Sequence, residues 1–222
     1  MSSDETIAAI STPVGAGGIA IIRVSGTSSS KVAERIFRPA KSGFPLQSHR
    51  FYLGDIVESD QGLTVDQVLC VFMRSPATYT REDVVEFHSH GGPVVAGRIL
   101  ELALKAGARL AQPGEFTRRA FFSGRIDLSQ AEAVAEIIAA RSSTEAVLAA
   151  AGLKGGLRSR VEAMTRELVR VLAVLEAALD FPDEDLDIYH GPELAADLES
   201  RVLSDLNRLL AFYEQGRVYR EG

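Results

Sequence analysis

The chain has one cysteine, no long apolar run and no excess of positive charge. Because Cys70 is the single cysteine, an intrachain disulfide is impossible, and we expect a core thiol in a reducing, cytoplasmic setting. No apolar stretch approaches the roughly 20 residues that span a bilayer, and the N-terminus lacks the pattern of a secretion signal. The 30 acidic residues outnumber the 24 basic ones, which disfavours a nonspecific nucleic-acid binder. We therefore expect a globular protein without a membrane partner.

Familiar nucleotide and calcium loops are lacking from the sequence as well. No GxxxxGK[ST] segment occurs in the 222 residues, so no GTP or ATP site of that class is expected within them. The glycines at 15–18 precede a predicted strand, which is the reverse of the dinucleotide-binding order, and they are interpreted as a turn. Alternating aspartates at 183–187 lack the glycine and glutamate of a calcium loop and are interpreted as a solvated connection.

The hydrophobic pattern changes along the chain and predicts two domains of the α+β class. Short β-like runs alternate with turns up to about Gln112, whereas apolar residues recur at helical spacing from about Asp127. We predict a mixed-sheet domain over residues 1–118 and an all-α domain over 119–222. The first domain should contain strands at 6–11, 19–24, 51–57, 65–73 and 84–88, helices at 31–36 and 94–104, and a hairpin turn at 60–62.

The second domain has three helical segments. Ser129 with Glu132, and Ser142 with Glu145, fit the capping box, in which a hydroxyl and a carboxylate satisfy helix amides reciprocally. An apolar stripe then predicts a long helix to about residue 178, and Pro192 begins a last amphipathic segment. We expect this stripe to pack on helices from another chain or from sequence outside these residues, so the helical domain is incomplete. The stripe consists of Leu157, Val161, Met164, Leu168, Val171, Leu175 and Leu179.

The segment 112–138 combines turn residues, arginines and a helix start, and could hold a polar ligand. Pro113 and Gly114 form a turn pair, and Asp127 and Ser129 are candidate helix caps. Arginines among phenylalanines can bind an anionic ligand or remain solvated, and both interpretations stay open. These arginines are Arg118, Arg119 and Arg125.

Glu86, His88 and His90 alternate along a predicted strand and could point to one face as metal ligands. Such alternation is common on half-exposed strands, and no further familiar zinc spacing accompanies it, so we assign no metal site and keep a metal-dependent hydrolase as a minor alternative. The Gly-Gly-Pro sequence at 91–93 predicts a close backbone approach followed by a helix start, which could receive a carboxylate or phosphate.

Four long motifs together resemble the family of tRNA modification GTPases called MnmE or TrmE. They are TPVGAGGIAIIRVSG from Thr12, EDVVEFHSHGGP from Glu82, QPGEFTRRAFFSGRIDLSQAEA from Gln112 and LDFPDED from Leu179. The resemblance covers nearly the whole chain. It implies a tetrahydrofolate-binding N-terminal domain that also dimerises, similar to that of the glycine-cleavage aminomethyltransferase, followed by the first part of a helical domain.

The resemblance also implies a function for the whole protein. The family acts in the cytoplasm with the flavoprotein MnmG to add a carboxymethylaminomethyl or aminomethyl group at C5 of the wobble uridine of certain tRNAs. The implied cofactors are a tetrahydrofolate derivative, 5-formyl- or methylene-tetrahydrofolate, together with GTP, Mg²⁺ and K⁺ in the full-length protein. The family's GTPase domain and its C-terminal helices with a cysteine motif would lie outside these residues. We therefore expect this chain alone neither to hydrolyse GTP nor to complete the modification.

The family's folate contacts can be carried over to this sequence, whereas no catalytic residue is assigned. A carboxylate can accept two hydrogen bonds from the amide and amino groups of a pterin, and arginines suit the anionic glutamate tail. Some members have lysine where this chain has Arg125, which keeps the charge but alters its geometry. A structural ion pair of Glu86 and a stand-alone folate-dependent aminomethyltransferase remain alternatives. The implied contacts are Arg23, Glu86 and Arg125, with the turn of Pro113, Gly114, Glu115 and Phe116.

Overall fold

The chain forms two compact units, Met1–Arg125 and Ile126–Gly222. The computed structural model describes residues 5–41, 43–58, 62–181 and 191–211. We predicted a boundary near residue 118, but residue 118 lies inside the helix Glu115–Phe122. The observed division falls seven residues later, after Arg125. Among the described residues, no helix is both long and apolar enough to cross a membrane.

The first unit is a seven-stranded mixed sheet with three helices, which confirms the predicted α+β class. Its strands are β1 Ile7–Ile10, β2 Ile19–Ser25, β3 Phe37–Pro39, β4 Arg50–Glu58, β5 Leu63–Met73, β6 Val84–His90 and β7 Arg109–Leu110. Its helices are α1 Ser29–Ile36, α2 Pro93–Lys105 and α3 Glu115–Phe122. The strand order is β3-β4-β5-β6-β2-β1-β7, and every pair is antiparallel except β1 with β7.

All five predicted strands and both predicted helices of this unit are confirmed, whereas β3, β7 and α3 were not predicted. The two missed strands contain three and two residues, too few to show an alternating pattern. The predicted turn residues Asp60 and Gln61 lie outside the described residues. Gly62 has a positive φ of 65°, which suits a glycine at the end of that connection.

One face of the sheet packs against α1 and α2 and forms the core. Ile22 and Phe87 from adjacent strands are fully buried together with Ile99 of α2 and Val32 of α1. Cys70 of β5 lies in the same cluster, and burial raises the pKa of its thiol, so the predicted core thiol is confirmed. Because successive strand residues point to opposite faces, the other face of the sheet is left for different side chains.

The predicted close backbone approach is found at Gly91. Its carbonyl accepts a hydrogen bond of 3.0 Å from the amide of Gly17, in the loop that contains the glycines at 15–18. A Cβ on Gly91 would lie 2.3 Å from the carbonyl oxygen of Gly17, so a side chain has no room there. Pro93 then begins α2, as predicted.

The second unit is all-α, as predicted. Its described residues form four helices, one more than the three predicted segments: α4 Leu128–Ala139, α5 Ser143–Leu153, α6 Gly156–Asp180 and α7 Gly191–Leu198. A π-helical turn, Glu199–Leu203, follows α7 directly and leads into helical residues 204–211. The aspartates at 183–187, interpreted as a solvated connection, lie outside the described residues.

The caps of this unit agree with the sequence in part. Asp127, rather than Ser129, caps α4: its Oδ1 accepts from the amide of Gln130 at 2.8 Å, and Gln130 Oε1 accepts from the amide of Asp127 at 3.0 Å. The predicted box of Ser129 and Glu132 is therefore wrong, because Ser129 already lies inside the helix. Ser142 does cap α5, and its Oγ accepts from the amide of Glu145 at 3.2 Å. The second half of that predicted box is not formed, because the Glu145 carboxylate accepts from the amide of Arg141 at 2.7 Å instead.

The long helix α6 ends at Asp180, close to its predicted end. Met164 and Val171 are buried, but the rest of its apolar stripe remains between 39 and 79% exposed. The exposed members are Leu157, Val161, Leu168, Leu175 and Leu179. That helices from another chain or from sequence outside these residues cover the stripe stays a prediction.

Replacing Gly91 and Gly97 by alanine should have opposite effects on stability. Gly91→Ala should lower the free energy of unfolding of the first unit by about 1–3 kcal/mol, because the new methyl group overlaps the Gly17 backbone. Gly97 lies inside α2 with no atom within 4 Å of the added Cβ, so Gly97→Ala should raise it by about 0.5–1 kcal/mol. Hydrogen exchange of the β2 and β6 amides measures the free energy of unfolding of each variant. Equal changes in the two variants would contradict this packing.

The cap of α4 can be tested with a matched pair. Asp127→Ala should cost about 1 kcal/mol of helix stability, because the amide of Gln130 loses its acceptor. Ser129→Ala should cost less than half as much, since Ser129 only supports the cap by donating to Asp127 Oδ1. The measurement is hydrogen exchange of the α4 amides. A larger loss of helix stability in Ser129→Ala than in Asp127→Ala would support Ser129 as the cap.

Candidate functional site

The face of the sheet opposite α1 and α2 carries charged and apolar side chains in adjacent rows. Glu86 of β6 is paired with Arg23 of β2, and His88 of β6 with Leu69 of β5. Directly opposed residues of neighbouring strands point to the same face, so these side chains share one surface. We call this surface the open face; it includes Arg23, Phe51, Leu53, Leu69, Glu86 and His88.

An ion pair with a histidine neighbour lies at the centre of the open face. The Nε of Arg23 donates to Oε1 of Glu86 at 2.7 Å, and Nε2 of His88 lies 3.2 Å from Oε2. The side chain of Glu86 is 14% exposed. The ion pair that we considered for Glu86 is therefore present, and the carboxylate keeps lone pairs on an accessible edge because each oxygen can accept more than one hydrogen bond.

Aromatic rings contact Arg23 of this ion pair and the neighbouring His88. The guanidinium carbon of Arg23 lies 5.6 Å from the ring centre of Phe116 in α3, within the range of a cation–π contact. The ring of Phe51 meets His88 edge-on, with 5.3 Å between ring centres. Phe51 itself is 55% exposed. A planar ligand could therefore find both a carboxylate and aromatic surface here.

The turn before α3 directs the side chain of Glu115 inward. Gly114 has a φ of 72°, a conformation that favours glycine, and it is the residue before the first turn of α3. Glu115 is 2% exposed, and its carboxylate accepts hydrogen bonds from Arg109, Arg119 and the amide of Gln112. The hydrogen bonds from Arg109 lower the pKa of Glu115 from 4.5 to about 2, against the opposing effect of burial. Its carboxylate is thus committed to the protein.

Arg119 extends these contacts to the sheet. Its Nη1 donates to both oxygens of Glu82, at 3.0 and 3.1 Å, and Oε2 of Glu82 accepts from Oγ of Ser25 in β2 at 2.7 Å. The hydroxyl of Ser25 also lies 2.7 Å from that of Thr80. Arg119 is therefore a structural residue rather than a ligand-binding or solvated one. Sequence reasoning did not find Glu82 or Arg109, because nothing in the local pattern joins positions this far apart.

The remaining arginines of the segment differ from Arg119. Arg125 is exposed, and none of the described residues accepts a hydrogen bond from its side chain or pairs with it. Arg118 is exposed and donates to Oε1 of Gln112 at 3.3 Å. Of the implied folate contacts, the structure thus brings together Arg23, Glu86 and Phe116. Pro113 and Gly114 lie exposed in the adjoining turn, and no hydrogen bond or ion pair among the described residues joins Arg125 to Arg23 or Glu86.

The three candidate metal ligands do not converge. His88 lies next to Glu86, but Nδ1 of His90 lies 2.7 Å from Oδ1 of Asp66, and the amide of His90 donates to the same carboxylate. No group of three or more histidine, cysteine, aspartate or glutamate residues in the described part of the chain could hold a metal ion. The metal-dependent hydrolase alternative is therefore without support from the described residues.

Comparison with known proteins agrees with the motifs. The family model described as "GTP-binding protein TrmE N-terminus" matches residues 6–125, and the model "MnmE helical domain" matches residues 128–222. The tRNA modification GTPase MnmE of Moorella thermoacetica is 48% identical over 221 residues, which are 99% of this chain and 47% of the relative. That of Desulfotalea psychrophila is 46% identical over 221 residues, 100% of this chain and 47% of the relative.

The chain spans about half the length of the curated relatives that it matches. Both units are covered, since the two family models meet within three residues of the division between them. The chain therefore belongs to the MnmE family, also called TrmE, whose curated members are named as tRNA modification GTPases.

Proposed function

We propose that these residues are the folate-binding and dimer-forming part of a GTP-hydrolysing tRNA modification protein. The name of the relatives supports the general activity, and this chain spans about half of their length. Together with the flavoprotein MnmG, the whole protein would add a carboxymethylaminomethyl or aminomethyl group at C5 of the wobble uridine of certain tRNAs, in the cytoplasm. GTP, Mg²⁺ and K⁺ would bind outside these residues.

The observation that carries the folate proposal is the ion pair of Arg23 and Glu86 beside Phe116. These residues come from β2, β6 and α3, yet Arg23 contacts both Glu86 and the ring of Phe116. A pterin is planar and presents neighbouring amide and amino N–H groups, which a carboxylate such as Glu86 can accept. The acceptor carboxylate and the aromatic surface therefore fit a tetrahydrofolate, which would supply the one-carbon unit.

The two arginines of the proposed pocket have different roles. Arg23 is already paired with Glu86, so we assign it to the pterin end, where it holds the carboxylate in place. Arg125 is exposed and has no partner among the described residues, so we assign it to the anionic glutamate tail. The turn of Pro113 and Gly114 would offer its backbone, and Phe116 its ring.

The apolar side chains of the open face support a homodimer. Phe51, Leu53 and Leu69 are 55, 50 and 44% exposed on neighbouring strands β4 and β5. Adjacent exposed apolar residues of this size are typical of an interaction surface. We propose that a second copy of the chain covers this surface, next to the proposed pocket.

Binding of 5-formyltetrahydrofolate, measured by calorimetry, tests the pocket. Glu86→Gln should weaken binding by about tenfold or more, because the charged acceptor of the pterin N–H groups is lost. Glu101→Gln is the matched control: Glu101 is an exposed glutamate of α2 that pairs with Arg98 away from the open face, and its variant should bind like the wild type. Equal binding by Glu86→Gln and wild type would remove Glu86 from the site. One-carbon transfer by the chain alone would instead support the stand-alone aminomethyltransferase.

Sedimentation of two aspartate variants tests the dimer surface. Leu53→Asp should shift the chain from dimer to monomer, because a buried unpaired charge at the interface is costly. Val147→Asp serves as the control, since Val147 is also exposed but lies on α5 of the second unit. A Leu53→Asp chain that sediments as a dimer like the wild type would place the interface elsewhere.

A further inference from the structure

The carboxylate of Glu115 is buried next to Phe116, and it accepts hydrogen bonds from Arg109, Arg119 and the amide of Gln112. We propose that Glu115 is a positioning residue, which holds the ring of Phe116 against Arg23 and so shapes the pterin end of the pocket. The inference rests on the proposed folate function and adds a residue that acts through another.

The helix α3 needs an anchor of this kind. It contains eight residues, and a helix this short is marginal without tertiary contacts. Gly114 precedes its first turn and has no side chain that could cap the helix amides. Glu115 instead accepts a hydrogen bond of 2.8 Å from the amide of Gln112, which closes the turn that leads into the helix. The start of α3 is thus fixed by this carboxylate.

The carboxylate also connects α3 to two strands of the sheet, β7 and β2. Arg109 in β7 donates two hydrogen bonds to it, at 3.1 and 2.8 Å. Arg119 donates a third at 3.1 Å and continues through Glu82 to Ser25 of β2. Because these hydrogen bonds connect the Glu115 carboxylate to β7 on one side and to β2 on the other, the first turn of α3 has little freedom to rotate.

Both members of the contact between Arg23 and Phe116 depend on these bonds. Phe116 directly follows Glu115, so a displacement of the Glu115 carboxylate moves the ring. Arg23 lies two residues before Ser25 on β2, which this chain of hydrogen bonds reaches. The distance of 5.6 Å between the Arg23 guanidinium and the Phe116 ring therefore depends on Glu115, Arg119 and Ser25 as well as on the ion pair with Glu86.

A charged carboxylate is required in this position. Glutamine has the same shape, but it would turn one N–H group toward the guanidinium donors of Arg109 and Arg119, and a buried donor without an acceptor is costly. The exposed Glu5 also accepts from Arg109, at 2.8 Å, but it lies outside α3. Glu5→Gln therefore provides a control that perturbs the same arginine without releasing the helix.

A double-mutant cycle with 5-formyltetrahydrofolate tests the inference. Calorimetry on the wild type, Glu115→Gln, Phe116→Leu and the double variant gives four dissociation constants. Glu115→Gln should weaken binding by about tenfold in the wild-type background and by less than about twofold when Phe116 is already leucine, because it acts through that ring. Glu5→Gln should bind like the wild type.

Hydrogen exchange separates positioning from unfolding. In Glu115→Gln the amides of residues 112–118 should exchange faster, whereas those of β2 and β6 should keep their protection. If Glu115→Gln does not fold, Arg109→Lys serves instead, because lysine keeps the charge but loses the paired hydrogen bonds to the carboxylate. Its weakening of binding should likewise vanish when Phe116 is leucine.

The outcomes that contradict the inference are distinct from failure of the proposed function. Wild-type chain that does not bind 5-formyltetrahydrofolate overturns the folate proposal before any variant is compared. Binding by the wild type together with an equal loss from Glu115→Gln in both backgrounds overturns the positioning role alone. So does a Glu115→Gln chain that binds as tightly as the wild type.

Discussion

The register between β2 and β6 determines the chemistry of the open face. Arg23 lies directly opposite Glu86, so their charges meet at 2.7 Å on a surface that also carries His88 and large apolar side chains. A shift of one residue in this pairing would turn Arg23 into the core and bring Ile22 to the surface. The burial of Ile22 and Phe87 against α1 and α2 therefore fixes the place of the ion pair, because the core and the site are opposite faces of the same strands.

A second constraint is the cost of burying the Glu115 carboxylate. An isolated buried charge is strongly unfavourable, whereas one with its hydrogen bonds satisfied by charged donors can be retained. Arg109 and Arg119 provide those donors and lower the pKa of Glu115 to about 2, so the group remains ionised at neutral pH. Arg109 lies in β7, and Arg119 of α3 also donates to Glu82 beside β6. The same bonds therefore attach α3 to the sheet beside the ion pair.

The sequence predicts those parts of the fold that have a repeating pattern. Period-two runs such as 19–24 and 84–88 became strands, because their repeat reflects a buried face. The helical spacing of the stripe from Leu157 became α6, although most of the stripe is exposed among the described residues. Single-residue choices were harder to predict: Asp127 and Ser129 both suit a cap, and only the backbone course selects Asp127. In the candidate site, the family motifs pointed to Arg23 and Glu86, and the structure joins these two side chains in an ion pair. The role of Arg119 depends on Glu82, 37 residues away, and no local pattern reports such a contact.

In the proposed folate pocket, Glu86, Arg23 and Phe116 form the pterin end. A crystal structure of the chain with 5-formyltetrahydrofolate is the sharpest test of this arrangement. We expect the pterin amide and amino groups within hydrogen-bond distance of the Glu86 carboxylate, with the Phe116 ring beside the pterin and Arg23 still paired with Glu86. A folate bound away from the open face, with Glu86 touching only Arg23 and His88, would contradict it.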